Sequence, residues 1–277
     1  MMEAEIDNMV QRALREDLGD GDVTAALIPA DTASQARIIS REAAVLCGRQ
    51  WFDSVFRQLD PAVEIHWQAQ DGDAIASDQE LCRLHGQARV LLSGERTALN
   101  FLQTLSGTAT LAHRYHEQVK DLSVTILDTR KTIPGLRLAQ KYAVRCGGCS
   151  NHRMGLYDGI LIKENHILAC GSISAAIARA RASAPALPIE VEVENLEEMS
   201  EALENDADIL LLDNFEQEML QQAVALNRGR SRLEASGGIT LENIRRIAQS
   251  GVDYISVGAL TKDVQAVDLS MRVTFDR

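Results

Sequence analysis

From Ser123 onward the sequence repeats one unit: a short apolar run, a polar tip, then an amphipathic stretch at helical spacing. The apolar runs are 123–128 (SVTILD), 159–163 (GILIK), 189–193 (IEVEV), 209–213 (ILLLD), 233–236 (LEAS) and 254–258 (YISVG). Between them, residues 173–182, 196–204, 217–225 and 241–250 place apolar side chains three and four apart, the helical period. Strands alternating with helices in this way form a parallel sheet with right-handed crossovers. Six units are fewer than the eight of a full α/β barrel. The expectation is therefore an open, incomplete α/β barrel, with a doubly wound sheet as the competitor. A polar tip follows nearly every run, and tips converge on one mouth only if the strands curve around an axis; an open sheet gathers its ligand groups at one switch point. That favours the barrel.

The preceding residues follow a different plan. Residues 3–18 have a helical pattern ended by Gly19, 34–46 read as extended, a helix starts after Gly48, and 63–67 alternate before the DGD turn at 71–73. Residues 80–92 read as further strand, Ser93 as the cap of a helix that Gly107 interrupts, and 108–119 as a second helix. The tail alternates through Leu269, Met271, Val273 and Phe275 and has no obvious place in the barrel. The expected division is an N-terminal α/β sandwich domain at 1–108, to which 265–277 return, and an open barrel at 109–264. DGD turns also occur in lipoyl and biotinyl carriers, but no lysine precedes Lys120 to accept the modification.

Charge narrows the function. The formal net charge is -12, yet 128–166 gather Arg130, Lys131, Arg137, Lys141, Arg145, Arg153 and Lys163 against few acids. A local basic island in an acidic chain suits a small anion; nucleic acid would demand a broad basic surface. Arg137, Lys141 and Arg145 fall on one helix face and are expected to be solvated. Arg130, Lys131, Arg153 and Lys163 lie at strand ends, where barrel proteins collect catalytic groups. No basic leader and no apolar stretch of about 20 residues is present, so a soluble, cytoplasmic protein with no membrane partner is expected. The five scattered cysteines do not make a disulfide framework. Cys146, Cys149 and His152 lack a fourth zinc ligand.

The strand ends supply three kinds of group. Arginine forks grip carboxylates and lysine adds point charge. Glu192 and Asp213 end consecutive strands and could hold Mg²⁺ directly or through water. Ser236, Gly237 and Gly238, ahead of the expected helix 241–250, could cradle a phosphate with backbone N–H groups, and Gly258 with Ala259 form a weaker tip of the same kind. Glu190, Glu192 and Glu194 share one strand face, which would be costly to bury unpaired, so at least one should be functional. His166 is expected to be structural. There is no GxGxxG after the first strand and no GxxxxGK[ST], so neither a dinucleotide fold nor a P-loop is supported.

The segments DTRKTIPGLR, SNHRMGL, LIKENH, EVEVEN, LLDNF and ASGGI, in this order, together with GERTALNFLQTLSG and the DVT near Val23, resemble the quinolinate phosphoribosyltransferases, type II phosphoribosyltransferases. The resemblance covers nearly the whole chain. It implies a sandwich domain, an open barrel, and a homodimer, or a higher oligomer, in which a partner's helix reaches the active site. The implied reaction joins quinolinate to phosphoribosyl pyrophosphate with Mg²⁺, giving nicotinate mononucleotide, pyrophosphate and CO₂ in NAD biosynthesis. Position by position, Thr129, Arg130, Lys131, His152, Arg153 and Lys163 match the family's quinolinate and phosphoribosyl contacts, and Arg96 the arginine donated across the dimer. Glu192 and Asp213 match the acids near ribose and metal; Ser236, Gly237, Gly238, Val257, Gly258 and Ala259 match the phosphate tips. The resemblance implies catalytic roles for Lys163, Lys131, Glu192 and Asp213. The alternatives are a related protein encoded beside molybdate transporters and a noncatalytic anion-binding regulator on the same scaffold.

Overall fold

The computed structural model describes residues 2–275. The chain divides into two compact units: one takes in residues up to His113, Ile133–Gly148 and the segment from Asp263; the other takes in Arg114–Thr132 and Cys149–Lys262.

The first unit contains α1 (Met2–Leu18), β1 (Ala33–Ser40), β2 (Ala44–Val45), α2 (Arg49–Leu59), β3 (Glu64–Trp67), β4 (Ala74–Ile75) and β5 (Glu80–Gln87). Into it also fall most of α3 (Ala88–Val119) and all of α4 (Arg137–Cys146). The tail strand, Leu269–Phe275, pairs antiparallel with β1, so the four-stranded sheet has the order tail, β1, β5, β3. Alternation along β1 buries every second side chain, Ile38 among them, against a core built on Trp51, Phe52 and Phe56 of α2.

Four expectations need correction here. The strand expected over 80–92 ends at Gln87, because Ala88 and Leu91 begin the apolar face of α3. Gly107 does not interrupt a helix; α3 runs through it as 32 residues. A Cβ on Gly107 would sit 1.9 Å from the Gln265 carbonyl oxygen, so the glycine permits a close approach of the returning tail. The segment 133–148, assigned by sequence to the barrel, belongs with the first unit: Ala139 and Ala143 sit in its core, and the Tyr142 hydroxyl donates to Asp71 at 2.8 Å. The same packing buries Lys141 completely, so it is not a solvated face residue like the exposed Arg145.

The second unit is the alternating region. Its strands are β6 (Thr125–Leu127), β7 (Ile160–Ile162), β8 (Ile189–Val193), β9 (Ile209–Asp213), β10 (Arg232–Ser236) and β11 (Tyr254–Ser256). All pair in parallel, in the order β6, β11, β10, β9, β8, β7. The helices α5 (Glu164–Cys170), α6 (Ile173–Ser183), α7 (Leu196–Glu204) and α8 (Gln217–Asn227) form the crossovers, with α9 (Ile244–Ala248) and α10 (Ala259–Lys262). Among the described residues the sheet continues beyond β6 only at Ser150, whose N–H donates to Ile126 and whose carbonyl accepts from Asp128. Among the described residues no ladder joins β6 to β7, so the barrel is open. The helix expected over 241–250 is shorter: residues after Gly238 form a turn in which Asn243 accepts from Thr240 N, and α9 starts only at Ile244.

Candidate functional site

The C-terminal ends of the six strands enclose a cavity of about 420 Å³ in the second unit. Thr129, Arg130 and Lys131 reach it from the loop after β6, His152 and Arg153 from the segment before β7, and Lys163 from the end of β7. Glu192, Asp213 and Ser236 arrive from the ends of β8, β9 and β10. The loops that carry the cations are held by hydrogen bonds. The Lys131 N–H donates to Thr129 Oγ1 at 3.1 Å, and its carbonyl accepts from the Thr261 hydroxyl at 2.9 Å. Buried Asp128 accepts from Asn151 Nδ2 at 2.6 Å and from the His152 N–H at 2.9 Å, which sets the His152–Arg153 stretch. Arg153 donates to the Gly159 carbonyl at 2.9 Å. Burial and the nearby Arg130 charge pull the Arg153 guanidinium below its ordinary range, the mark of cations crowded into one place. Lys163 is the N-cap of α5, with His166 Nδ1 accepting its N–H at 3.0 Å, so His166 is structural.

The acidic face of β8 is resolved residue by residue. Glu192 pairs with Lys163, while Glu190, 4% exposed, accepts from His152 Nε2 at 3.0 Å. Glu194 lies exposed beyond the strand end. Asp213 accepts from the Asn214 side-chain amide at 2.8 Å. Glu192 and Asp213 thus offer hard carboxylate oxygens on adjacent strands at the cavity wall, a donor set that fits Mg²⁺.

The tips are less uniform. Gly237 and Gly238 have φ of +96° and +59°, and a Cβ on Gly237 would meet Asn214 Oδ1 at 2.1 Å. Gly258 approaches Lys131, whose Cδ lies 3.2 Å from where its Cβ would be. Val257 is fully buried and offers only its backbone there, its N–H donating to Leu127 at 2.9 Å; Ala259 opens α10. Arg96 is exposed on α3 in the first unit.

Sequence reasoning missed Glu234 and Ser256, which also line the cavity. Glu234 is 1% exposed and lies 3.7 Å from His152 Nε2. Burial, then Glu190, push its carboxyl up to about 7, against the pull of the Ser256 hydroxyl and the Lys163 charge. The signal was present: strand alternation puts Glu234 on the face of Ser236. A second cavity, of about 390 Å³, opens at the N-terminal ends of the strands, and His152, Arg153 and Glu234 line both.

Two family models match this chain: the quinolinate phosphoribosyl transferase N-terminal domain over residues 22–106 and its C-terminal domain over 108–272. A probable nicotinate-nucleotide pyrophosphorylase [carboxylating] of Bacillus subtilis is 41% identical over 99% of this chain and 95% of its own length. Quinolinate phosphoribosyltransferase [decarboxylating] 1b of Nicotiana tabacum is 39% identical over 97% of this chain and 82% of its own. Among solved structures, the nicotinate-nucleotide pyrophosphorylase from Francisella tularensis superimposes with a TM-score of 0.96 at 45% identity, covering 98% of this chain and 97% of that one. With both family models spanning almost the whole length and the open barrel shared with its relatives, the chain belongs to the quinolinate phosphoribosyltransferase family.

Proposed function

We propose that this protein transfers the phosphoribosyl group of phosphoribosyl pyrophosphate to quinolinate with loss of CO₂, forming nicotinate mononucleotide and pyrophosphate. The observation that carries the reading is the meeting of Arg130, Lys131, Arg153 and Lys163 with Glu192 and Asp213 in one cavity. Quinolinate is a dianion, and its co-substrate carries a monophosphate and a diphosphate. An acidic protein has reason to concentrate four cations only where such charge must be held.

In this reading Arg153 and Lys131 clamp the pyridine carboxylates, the arginine through its planar fork. Lys163 leaves Glu192 to touch the leaving diphosphate. The backbone N–H groups of Ser236–Gly238 and of Gly258 and Ala259 receive phosphate oxygens, while Val257, whose N–H is held by Leu127, fixes the second tip in place. Glu192 and Asp213 would hold Mg²⁺, which when bound neutralises diphosphate charge. The pyridine nitrogen forms its bond to the anomeric carbon as the bond to diphosphate oxygen breaks. The bond from the adjacent ring carbon to its carboxylate then breaks; CO₂ leaves, the electron pair stays on that ring carbon beside the cationic nitrogen, and the ring carbon takes up a solvent proton. The protein contributes alignment and fixed charge, so no dedicated decarboxylation base is required.

We also place Arg96 at a homodimer interface, reaching the partner's site, and the enzyme in the cytoplasm. Support for the first is the family resemblance together with the exposure of Arg96 on α3. Consistent with the second, no helix among the described residues is long and apolar enough to cross a membrane. The test is release of CO₂ from carboxyl-labelled quinolinate, dependent on phosphoribosyl pyrophosphate and Mg²⁺. A folded sample that releases none would reject the reading, and a Lys163→Ala variant with near-normal turnover would remove the role given to Lys163.

A further inference from the structure

The mechanism above leaves two buried carboxylates unused. Glu190 on β8 and Glu234 on β10 are 4% and 1% exposed, and one oxygen of each, Oε1, has no hydrogen-bond partner. His152 Nε2 lies 3.0 Å from Glu190 Oε2 and 3.7 Å from Glu234 Oε2. His152 and Glu234 line both cavities, and Glu190 lines the one at the N-terminal ends of the strands.

A metal ion is one way to satisfy such a cluster, since a ligand atom from each residue lies within 4.8 Å of the others. The imidazole argues against it. His152 Nδ1 accepts the Arg153 N–H at 2.7 Å, so the ring proton resides on Nε2, which is then a donor and has no lone pair for a metal. The same hydrogen bond keeps the ring neutral, because a proton on Nδ1 would point at the Arg153 N–H. Two ionised carboxylates this deeply buried beside a neutral imidazole would be strongly unfavourable. One proton relieves the conflict. Glu190 takes the shorter bond from His152 and remains the anion, which leaves Glu234 as the acid.

We propose that Glu234 is a positioning residue that works as a neutral carboxylic acid, holding the cavity floor uncharged so that the dianionic substrate binds with uptake of one proton above neutral pH. The inference rests on quinolinate being the ligand. The binding step balances as ionised Glu234, one solvent proton and the dianion giving protonated Glu234 with the dianion bound. The groups that face Glu234 are Glu190 from β8, His152 from the segment before β7, Lys163 from the end of β7, and Tyr254 and the Ser256 hydroxyl from β11, while β9 sets apolar Leu211 opposite it. Arg130, Lys131, Arg153, Glu192 and Asp213 share its cavity. The carboxyl of the free protein, raised to about 7 by burial and Glu190, is poised to respond, and an arriving dianion raises it further.

The test is titration calorimetry of quinolinate binding to the full-length protein between pH 6 and 8.5, in two buffers of different ionisation enthalpy. Wild type should take up close to one proton per site near pH 8.5, and its Kd should rise about tenfold per pH unit above neutrality. Glu234→Gln, which mimics the neutral acid, should abolish the uptake, flatten the pH dependence and bind roughly tenfold or more tightly than wild type at pH 8.5. A purely structural glutamate would not change the proton count. No uptake by wild type overturns the inference without any variant, as does uptake that survives in Glu234→Gln, or a stoichiometric metal removable by chelator. A sample that releases CO₂ from quinolinate yet shows no proton linkage overturns this inference alone. One that neither binds nor consumes quinolinate overturns the functional reading as well.

Discussion

Gly237 and Gly238 are neighbours with unequal surroundings, and alanine at each should separate two costs. At Gly238 the φ is +59° and a Cβ would meet nothing within 4 Å, so alanine adds only left-handed backbone strain, about 1–2 kcal/mol. At Gly237 the φ is +96° and the Cβ would lie 2.1 Å from Asn214 Oδ1 and 2.9 Å from the Asn214 backbone nitrogen. Ordinary contact begins at 3.4 Å, so the two loops must part by roughly an ångström, a misplacement worth about 100-fold in rate when it reaches reacting groups. Asn214 donates from its side chain to Asp213 and from its backbone to Ser236, so the displacement reaches both the phosphate tip and an acid of the cavity wall. Gly237→Ala should therefore lower kcat/KM for phosphoribosyl pyrophosphate about 100-fold. Gly238→Ala should lose less than about tenfold. Quinolinate affinity, measured by calorimetry, should hold within about threefold in both, because the cations sit on other strands. Steady-state kinetics with circular dichroism to verify folding makes the comparison. Equal losses at the two positions, or a larger one at Gly238, would refute the reasoning.

Glu234→Gln should also change stability with a definite sign. A folded-state carboxyl raised to about 7 binds its proton more tightly than the unfolded chain does, so stability falls as pH rises from about 4.5 and the full penalty is in place above about 7. The variant should unfold at higher urea than wild type at pH 8, by on the order of 3 kcal/mol, with the gap closing toward pH 4.5. Gly147→Ala should destabilise the first unit by about 1–3 kcal/mol in chemical denaturation, since its Cβ would lie 2.3 Å from the Ala109 carbonyl oxygen and 2.5 Å from Ala112 Cβ. Cys146, whose thiol is lowered by a hydrogen bond with Cys47, should be alkylated by iodoacetamide well before Cys47, Cys82 and Cys149, which burial pushes up, Cys149 to about 12. Peptide mass spectrometry reads the order.

Strand ends were legible in the sequence because a parallel strand is a short apolar run and the first polar residue after it falls at the barrel mouth. That logic located Arg130, Lys163, Glu192 and Asp213 without a structure, and the structure brings them together. It failed inside strands. Glu234 stands between Leu233 and Ala235, where only alternation distinguishes an inward acid from an outward one. Helices failed where tertiary partners override local pattern. Gly107 signals a break by propensity, and its reason, the backbone at Gln265, is far away in the chain. Lys141 shares a helix face with Arg137 and Arg145, and the sequence could not show that α4 packs into the first unit's core.

The buried acids bear on how a cation-rich cavity stays folded before any anion arrives. Arg130, Lys131, Arg153 and Lys163 face Glu192, Asp213 and Glu190, and a fourth carboxylate if Glu234 is ionised. With Glu234 protonated the cavity keeps a small excess of positive charge that draws a dianion in. With Glu234 ionised the excess is gone. Lys163, held by Glu192, shows how the arrangement lessens mutual repulsion among the cations: this acid occupies a partner that the substrates would later claim. Removing an acid should therefore not simply sharpen anion binding. Glu192→Gln frees Lys163 but leaves four cations with one fewer counter-charge, so nonspecific anions such as inorganic phosphate should compete with substrate more strongly in that variant than in wild type. Phosphate inhibition that is unchanged by Glu192→Gln would show that the pairing with Lys163 does not govern access to the cavity.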